Sequence, residues 1–252
     1  MTTSPLEKTT AIVTGASRGF GRATCEALVS HGVHVVGVAR DAAALAALGA
    51  ELGPHFTAVA ADVTDGSLAS RLIREHRPQL LVLNAGATPH AAAIHEQTWE
   101  TFSRNWEVDV RQVFEFTRTA LLEPLAPGST VIAMSSGAAR AGSPLSGGYA
   151  GAKATIGFIS SYARAESERR SLDIRFTALL PKLTPATGLG STFVDEYATY
   201  AGLDRDAYLA QLGPSLEPRQ VADVVLALAH PSASTVEASA YLVTAEGMQA
   251  LG

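Results

Sequence analysis

The sequence predicts an α/β protein built on a single, doubly wound parallel sheet. Short apolar runs alternate with longer helical patterns along the 252 residues, and no linker-like or low-complexity stretch divides them. A repeated order of strand, helix and strand predicts parallel strands joined by right-handed crossovers, with helices on both faces of the sheet. The length alone allows one or two domains. Because no boundary is visible, we expect one domain over residues 1–252.

Seven apolar runs are continuous, as is typical of strands buried on both faces of a parallel sheet. They are Thr10–Thr14, Val33–Ala39, Phe56–Ala60, Leu80–Leu83, Thr130–Met134, Ile174–Leu180 and, as the weakest, Tyr241–Thr244. The helical patterns are Gly19–Ser30, Asp41–Leu52, Ser67–His76, Thr98–Leu125, Tyr149–Arg170 and Pro218–Ala229.

Two connections are longer than is usual between such elements. Gly137–Gly148 is rich in Gly, Ser and Ala, and Lys182–Pro214 contains only a weak helical pattern around Thr192–Tyr200. Both follow strands, so we expect them at the carboxyl ends of the sheet, where open α/β sheets bind ligands. The second connection is the expected substrate loop, but its sequence does not identify the substrate.

The composition limits the classes of partner. Hydrophobic residues make up 47% of the chain, and the net charge of −5 argues against nucleic acid or an anionic membrane as a partner. No apolar stretch approaches the roughly 20 residues that span a bilayer, and residues 1–9 lack the apolar core of a signal peptide. Cys25 is the single cysteine, and no Cys/His cluster has zinc-ligand spacing. We therefore expect a cytoplasmic protein without a metal site.

A glycine-rich turn, Thr14 to Gly21, ends the first strand and leads directly into a helix. Glycines permit a tight turn and the close approach of a phosphate to backbone N–H groups, and the helix N-terminus attracts anions. The turn therefore predicts a dinucleotide site, although glycines also end strands for purely conformational reasons.

The end of the second strand indicates which dinucleotide binds. Folds that select NAD usually place a carboxylate here for the ribose 2′-OH, whereas this chain has Ala39 followed by Arg40, with Arg18 in the glycine turn. Two guanidinium groups would suit the 2′-phosphate of NADP. Two solvated surface arginines are the alternative. Asp41 is placed either to meet a ribose hydroxyl or to act at the N-terminus of the next helix.

Polar residues also follow the third and fourth strands. Asp62-Val63 and Asn84-Ala85-Gly86 come at the edge where the topology places a ligand. A capping or turn role competes for Asp62, and a simple turn competes for Asn84 and Gly86.

Tyr149 and Lys153 begin a helix four residues apart, which puts both side chains on one face. A phenol titrates near pH 10, about three units above neutrality, so a neighbouring ammonium is needed to favour its phenolate form. Ser135 and Ser136 end the fifth strand, and only one of them can point to the site because strand side chains alternate. An ordinary amphipathic helix is the competing explanation for the Tyr–Lys pair.

Taken together, these motifs resemble those of the short-chain dehydrogenase/reductases. The matching residues are Thr14-Gly15-(x)3-Gly19-x-Gly21, Asp62, Asn84-Ala85-Gly86, Ser136 and Tyr149-(x)3-Lys153. The resemblance covers residues 8–181 and implies a Rossmann-type fold with a nicotinamide cofactor. It implies that Tyr149 is the general acid/base, that Ser136 rather than Ser135 holds the substrate oxygen, and that Lys153 binds the nicotinamide ribose.

With Arg18 and Arg40, the resemblance is to the NADP-preferring type, which implies a carbonyl reductase or alcohol dehydrogenase acting on a small molecule. The implied cofactor-binding residues are Gly15, Ser17, Arg18, Gly19, Phe20, Gly21, Arg40, Asp62, Val63, Asn84, Ala85, Gly86, Tyr149, Lys153 and Pro181.

Two positions depart from the family pattern. Asp109 stands where the catalytic tetrad usually has an asparagine, and Lys182 follows Pro181 where glycine is common. A carboxylate at 109 would pair with Lys153 and weaken its effect on Tyr149, so we expect a proton relay that is kept but has a shifted pH optimum. A local change without catalytic effect is the alternative. For Lys182, contact with an anionic substrate group competes with a simply solvated lysine.

The helix that carries Tyr149 is apolar on more than one face, through Ile156, Phe158, Ile159, Tyr162 and Ala163. Such a helix is either covered by its own chain or packs on another subunit. Together with this helix, the family resemblance implies a homodimer or homotetramer. The departures at 109 and 182 leave a second interpretation open, a catalytically weak NADP-binding regulatory protein; a third is an isomerase or dehydratase that oxidises its substrate transiently.

Overall fold

The computed structural model describes residue 6, residues 9–230 and residues 238–251. Its strands are β1 (Thr10–Thr14), β2 (His34–Ala39), β3 (Phe56–Ala60), β4 (Leu80–Leu83), β5 (Thr130–Met134), β6 (Arg175–Pro181), β7 (Ala240–Thr244) and β8 (Gly247–Leu251). Its α-helices are α1 (Gly19–Ser30), α2 (Ala42–Leu52), α3 (Leu68–His76), α4 (Trp99–Asn105), α5 (Arg111–Leu122), α6 (Ala138–Ala141), α7 (Gly147–Arg169), α8 (Gly188–Ala201), α9 (Arg205–Leu212) and α10 (Pro218–Ala229). Single 3₁₀ turns occur at Gly53–His55 and Ile94–Glu96, and a π-helical turn occurs at Trp106–Val110.

The strands form one sheet in the order β3-β2-β1-β4-β5-β6-β7-β8. Strands β1 to β7 pair in parallel, and Ala11 of β1 is aligned with Val35 of β2 on one side and Leu80 of β4 on the other. The chain therefore winds outward in both directions from β1 and β4. A crevice opens at the carboxyl ends of these two strands, which is where ligands bind in such sheets. The predicted fold class is confirmed.

Alternating side chains of β1 supply the two faces of the core. Val13 packs with Leu28 of α1 and Val225 of α10, whereas its neighbour Ile12 packs on the other face with Phe116 of α5 and residues of α3 and α7. Each face of the sheet is thus covered by helices. This rigid base fixes the strand ends from which the site is built.

The structure has one strand more than the seven predicted. Strand β8 follows β7 after a tight turn and pairs with it in an antiparallel direction. Its residues are exposed or half-buried along the whole strand, so the sequence carries no buried apolar run there. The first residue of β8 is Gly247, which has a φ of +126° and is typical of a loop in the sequence.

The helix expected around Thr192–Tyr200 is present and longer, but the expectation that the rest of Lys182–Pro214 is a loop was wrong. This segment contains two helices, α8 and α9. Thr187 caps α8 by accepting a hydrogen bond from the N–H of Gly190, and Asp204 caps α9 in the same way. Gly202 ends α8 in the left-handed conformation. These capping residues occur among glycines that suggest a loop.

The predicted long helix Thr98–Leu125 is interrupted and shorter. Helix α4 passes into the π-helical turn before α5 begins, and α5 ends at Leu122. In this turn the N–H of Arg111 bonds to the carbonyl of Trp106, five residues back. Such bulges are frequent at functional sites because they reorient a side chain. Here the turn carries Asp109.

Candidate active site

A cavity of about 1240 Å³ lies over the carboxyl ends of the central strands. With the exception of Gly21, every predicted site residue lines it, from the glycine turn to Lys153 and Pro181. The sheet therefore brings together residues that are as much as 166 positions apart, Gly15 and Pro181. The two long connections contribute to its walls, as expected.

The glycine turn has the shape that a dinucleotide phosphate requires. Gly15 and Gly19 have φ angles of +67° and +55°, which favour glycine, and a Cβ on Gly15 would lie 2.7 Å from Asn84 Nδ2. Gly21 packs so closely that its Cβ would lie 2.1 Å from the carbonyl oxygen of Gly15. Gly19 and Phe20, the first residues of α1, line the cavity, and the N-cap residue Arg18 has no side-chain acceptor for the N–H groups of this turn. These features fit a pyrophosphate group.

Asn84 holds the glycine turn against β4. Its Nδ2 donates to the carbonyl of Thr14 at 3.0 Å, and its backbone N–H donates to Thr14 Oγ1 at 2.9 Å. The Thr14 hydroxyl in turn donates to Gln112 Oε1 at 2.8 Å, and Gln112 Nε2 donates to the carbonyl of Ala85. Gln112 was not predicted, because nothing in the sequence marks one position of α5 as lying beneath the turn.

At the other end of the cavity, two arginines and two aspartates lie on the surface. Arg18 and Arg40 are exposed and line the cavity. Asp41 caps α2 by accepting from the N–H of Ala44 at 2.9 Å. Asp62 accepts from the N–H and hydroxyl of Thr64, and these bonds, helped by the charge of Arg40, hold the pKa of Asp62 below its usual value. The competing capping and turn roles of the two aspartates are therefore present.

Ser136, Tyr149 and Lys153 meet in the same cavity. The Nζ of Lys153 lies 5.5 Å from the centroid of the Tyr149 ring, close enough for the cation to stabilise negative charge on the phenol oxygen. The Ser135 hydroxyl donates to the carbonyl of Lys153 at 2.7 Å and so ties β5 to α7. The Ser136 hydroxyl oxygen accepts from the N–H of Ala138 at 3.2 Å, which leaves its proton free to be donated.

Lys153 forms a buried ion pair with Asp109. Its Nζ donates to the carbonyl of Met134 at 2.9 Å and lies 3.1 Å from Asp109 Oδ2, and both side chains are less than a tenth exposed. Burial acts to lower the pKa of Lys153, but the charges of Asp109 and Tyr149, with the hydrogen bond to Asp109, raise it above its usual value. The predicted pairing of residues 109 and 153 is confirmed.

The other oxygen of Asp109 is held by two further donors. Oδ1 accepts from the N–H of Ala87 at 2.8 Å and from Asn105 Nδ2 at 3.3 Å, and Asn105 Nδ2 also donates to the carbonyl of Ala87 at 2.8 Å. A Cβ on Gly86 would lie 2.8 Å from Asp109 Oδ2, so only glycine fits there. Asn105 was missed, although its position four residues before Asp109 could have indicated the contact.

Helices α8 and α9 contribute aromatic side chains to the wall of the cavity, here called the aromatic lid. Phe193, Tyr197 and Tyr208 form this lid and line the cavity, and Tyr197 stacks on Tyr208. The Tyr197 hydroxyl shares a hydrogen bond with Ser143, which lies in the connection before Tyr149. Lys182 is exposed, and its Nζ donates to the carbonyl of Leu212 at the end of α9, at 2.7 Å.

Cys25 of α1 is buried in the core against the sheet, and burial raises the pKa of its thiol. In the part of the chain that the structure describes, no group of three or more His, Cys, Asp and Glu side chains is arranged to hold a metal ion. Nor does any helix there have the length and apolar character to cross a membrane.

Relatives of the chain are named as dehydrogenases and reductases. A sorbitol dehydrogenase of Cereibacter sphaeroides is 28% identical, with 94% of this chain and 96% of the relative aligned. An L-xylulose reductase of Mesocricetus auratus is 30% identical over 86% of this chain and 87% of its own length. A 3-ketoacyl-(acyl-carrier-protein) reductase of Brucella melitensis, solved with NADH, has a similar fold at 24% identity, with a TM-score of 0.78, 94% of this chain and 97% of that chain covered.

The sequence itself matches a family model over most of its length. The model described as short chain dehydrogenase matches residues 9–197, a range that contains the glycine turn, the Asp109–Lys153 pair and Tyr149. The chain therefore belongs to the short-chain dehydrogenase family of oxidoreductases.

Proposed function

We propose that the protein transfers a hydride between NADP(H) and a carbonyl or alcohol substrate, with Tyr149 as the general acid/base. The observation that carries this proposal is the placement of the Lys153 ammonium 5.5 Å from the Tyr149 ring, in the cavity that also holds Ser136. The nicotinamide, when bound, supplies or accepts the hydride. Relatives named for sorbitol and L-xylulose support a substrate with hydroxyl or carbonyl groups.

The roles of the three side chains follow from their chemistry. In the reducing direction, the substrate oxygen gains negative charge, and the Ser136 hydroxyl and Tyr149 phenol donate hydrogen bonds to it. Tyr149 then gives up its proton, and the Lys153 cation stabilises the phenolate that remains. The backbone carbonyl of Met134 holds Lys153 in place for this role.

The preference for NADP rests on Arg18 and Arg40. Both are exposed, line the same end of the cavity, and have no acidic hydrogen-bond partner among the described residues. The two nearby carboxylates, Asp41 and Asp62, already accept hydrogen bonds from Ala44 and Thr64. The arginines are thus available for a 2′-phosphate.

The first experiment measures NADPH consumption over a panel of ketones, aldehydes and quinones. Tyr149→Phe should reduce turnover by at least about a hundredfold, because general acid catalysis contributes on this scale. NADPH binding by the variant, followed by nucleotide fluorescence, should be retained and serves as the control. Turnover that survives the substitution would contradict the proposed role of Tyr149.

The second experiment compares kcat/KM for NADPH and NADH. Because charge-assisted hydrogen bonds contribute about 1.5–3 kcal/mol each, Arg18→Ala and Arg40→Ala should each lower the NADPH preference by about ten- to a hundredfold. The kcat/KM for NADH should stay near the parent value. An unchanged ratio in both variants would reject the assignment of these residues.

The Asp109–Lys153 pair favours a second candidate function. A carboxylate 3.1 Å from the ammonium offsets part of the positive charge that acts on Tyr149. A catalytically weak NADP-binding protein that regulates a partner is therefore the alternative. It would bind NADPH tightly, oxidise it with no member of the carbonyl panel, and be indifferent to Tyr149→Phe.

We also propose that residues 1–252 act as one domain and that two or four copies assemble. One sheet uses strands from Thr10 to Leu251, which supports a single domain. On α7, Phe158 and Tyr162 stack on each other while 59% and 68% exposed, and Phe114 of α5 is also exposed. Exposed aromatic patches of this kind favour association. Light scattering of the parent and of the double variant Phe158→Ser/Tyr162→Ser tests the proposed assembly. A monomeric parent would reject it.

A further inference from the structure

The charged side chains that line the cavity divide unevenly between its two halves. The nucleotide half, at the ends of β1 to β3, has Arg18, Arg40, Asp41 and Asp62, so its formal charges balance. The reaction half, at the ends of β4 to β6 and beneath the lid, has Arg104, Asp109, Arg140, Lys153 and Lys182. It therefore has an excess of three positive charges in a chain whose net charge is −5.

The ion pair in the reaction half involves only Lys153 and Asp109, so it does not reduce this excess of positive charge. Asp109 is the acidic residue of this half, and its carboxylate is used by Lys153. In the part of the chain that the structure describes, no ion pair within 4 Å involves Arg104, Arg140 or Lys182. Lys182 donates to the neutral carbonyl of Leu212, which leaves its charge in place. We call these three residues the cationic rim.

The three members of the cationic rim come from the elements that frame the reacting groups. Arg140 is on α6, a short helix that begins two residues after Ser136. Arg104 is next to Asn105, whose amide holds Asp109. Lys182 directly follows β6 at its carboxyl end. Three separate chain segments thus contribute positive charge to the lining of the cavity that holds Ser136, Tyr149 and Lys153.

We propose that the substrate carries a carboxylate or phosphate group, bound by the cationic rim, in addition to the carbonyl or hydroxyl that reacts. This inference rests on the proposed function, because it concerns the substrate of the same site. Guanidinium groups pair bidentately with carboxylate and phosphate oxygens, and a cleft of one sign concentrates ligands of the other. The aromatic lid contacts the uncharged remainder of the substrate.

The test measures binding separately from turnover. Tyr149→Phe protein saturated with NADPH is titrated calorimetrically with matched pairs: 3-oxo acids of four to eight carbons against their methyl esters, and dihydroxyacetone phosphate against dihydroxyacetone. At least one anionic compound should bind about tenfold or more tightly than its neutral partner, and added salt should reduce that difference. The acid and phosphate series distinguish the two anion types. Equal binding within every pair, or no binding by any anionic probe, would overturn the inference.

Variants identify the residues responsible. Arg104→Gln, Arg140→Gln and Lys182→Gln are measured singly and combined, and the combined variant should lose the preference for the anion while it binds the neutral partner as before. Arg71→Gln changes an exposed arginine of α3 outside the cavity and should keep the preference. A preference retained in the combined variant, or a loss of NADPH affinity in place of substrate affinity, would overturn the assignment. Failure of the proposed function would be seen in a different measurement, as NADPH turnover that Tyr149→Phe leaves unchanged.

Discussion

Replacing Asp109 with asparagine removes a buried charge with almost no change in size. In the parent, Oδ2 faces the Lys153 ammonium, and Oδ1 accepts from Ala87 and Asn105. The asparagine amide has one oxygen and one NH2 group, so it can accept on one side only. Whichever way it turns, its NH2 group meets donors: the ammonium on one side, or the N–H of Ala87 and the amide of Asn105 on the other.

The magnitude follows from the geometry of the pair. Two unit charges 3.1 Å apart attract by about 5 kcal/mol at an effective dielectric constant near 20. Desolvation of the ions offsets part of this attraction, while the mismatched donors in the variant add a penalty of about 1–3 kcal/mol. We therefore expect Asp109→Asn to reduce the free energy of unfolding by about 3 kcal/mol, or the Tm by roughly 6–12 °C for a chain of this length.

The same substitution should change the pH dependence of activity. Without the carboxylate, the full charge of Lys153 acts on Tyr149 and favours the phenolate, which is the form that accepts the proton in alcohol oxidation. The midpoint of the pH–rate curve for oxidation should move to lower pH by about one unit. Asp223→Asn, on the exposed face of α10, is the matched control and should leave the curve unchanged. Curves that coincide for Asp109→Asn and the parent would refute the reasoning.

Three further predictions concern packing and titration. Gly21→Ala should abolish NADPH binding and lower the Tm, because its Cβ would lie 2.1 Å from the Gly15 carbonyl oxygen, whereas Gly66→Ala, with no atom near its Cβ, should do neither. Because the pKa of Lys153 is raised in the folded state, its contribution to stability is complete below the ordinary lysine pKa of about 10.4 and is lost as the pH rises through the pKa of the folded state. Urea unfolding at a series of alkaline pH values should show this loss. A free energy of unfolding that does not change over this pH range would contradict the prediction. Cys25, buried with a raised thiol pKa, should react with an aromatic disulfide reagent only after denaturation, and fast reaction in the native protein would disprove its burial.

The parallel strands were predictable because burial on both faces leaves a continuous apolar run, as in β1 and β4. Strand β8 has no such run, because it lies exposed at the edge of the sheet and is specified by pairing with β7. Helices α8 and α9 depend on caps at Thr187 and Asp204, which are short signals within a glycine-rich segment. Elements fixed by tertiary pairing or by single caps are thus the ones that sequence patterns miss.

The residues of the candidate site also fall into those that the sequence indicated and those that it did not. Tyr149 and Lys153 are four residues apart, and the glycine turn is one continuous segment, so local spacing indicated them as candidates. An ordinary helix and a simple turn remained alternatives until the motifs were taken together as a family resemblance. Gln112 and Asn105 act through bonds to residues of other chain segments, Thr14 and Ala87 respectively. No local pattern encodes these two bonds, since they arise only when the helices pack on the sheet; the four-residue spacing between Asn105 and Asp109 is the one local signal of this network.

The ion pair and the cationic rim are two parts of one charge arrangement. An unpaired carboxylate at Asp109 would repel an anionic substrate from the reaction half. Because Lys153 neutralises it at 3.1 Å and two further donors hold its other oxygen, the field in this half comes from Arg104, Arg140 and Lys182. The pairing therefore keeps a negative group beside the reacting centre without opposing the substrate charge that the rim attracts. If both proposals hold, the pair sets the pH response of the proton relay, while the rim sets the choice of substrate.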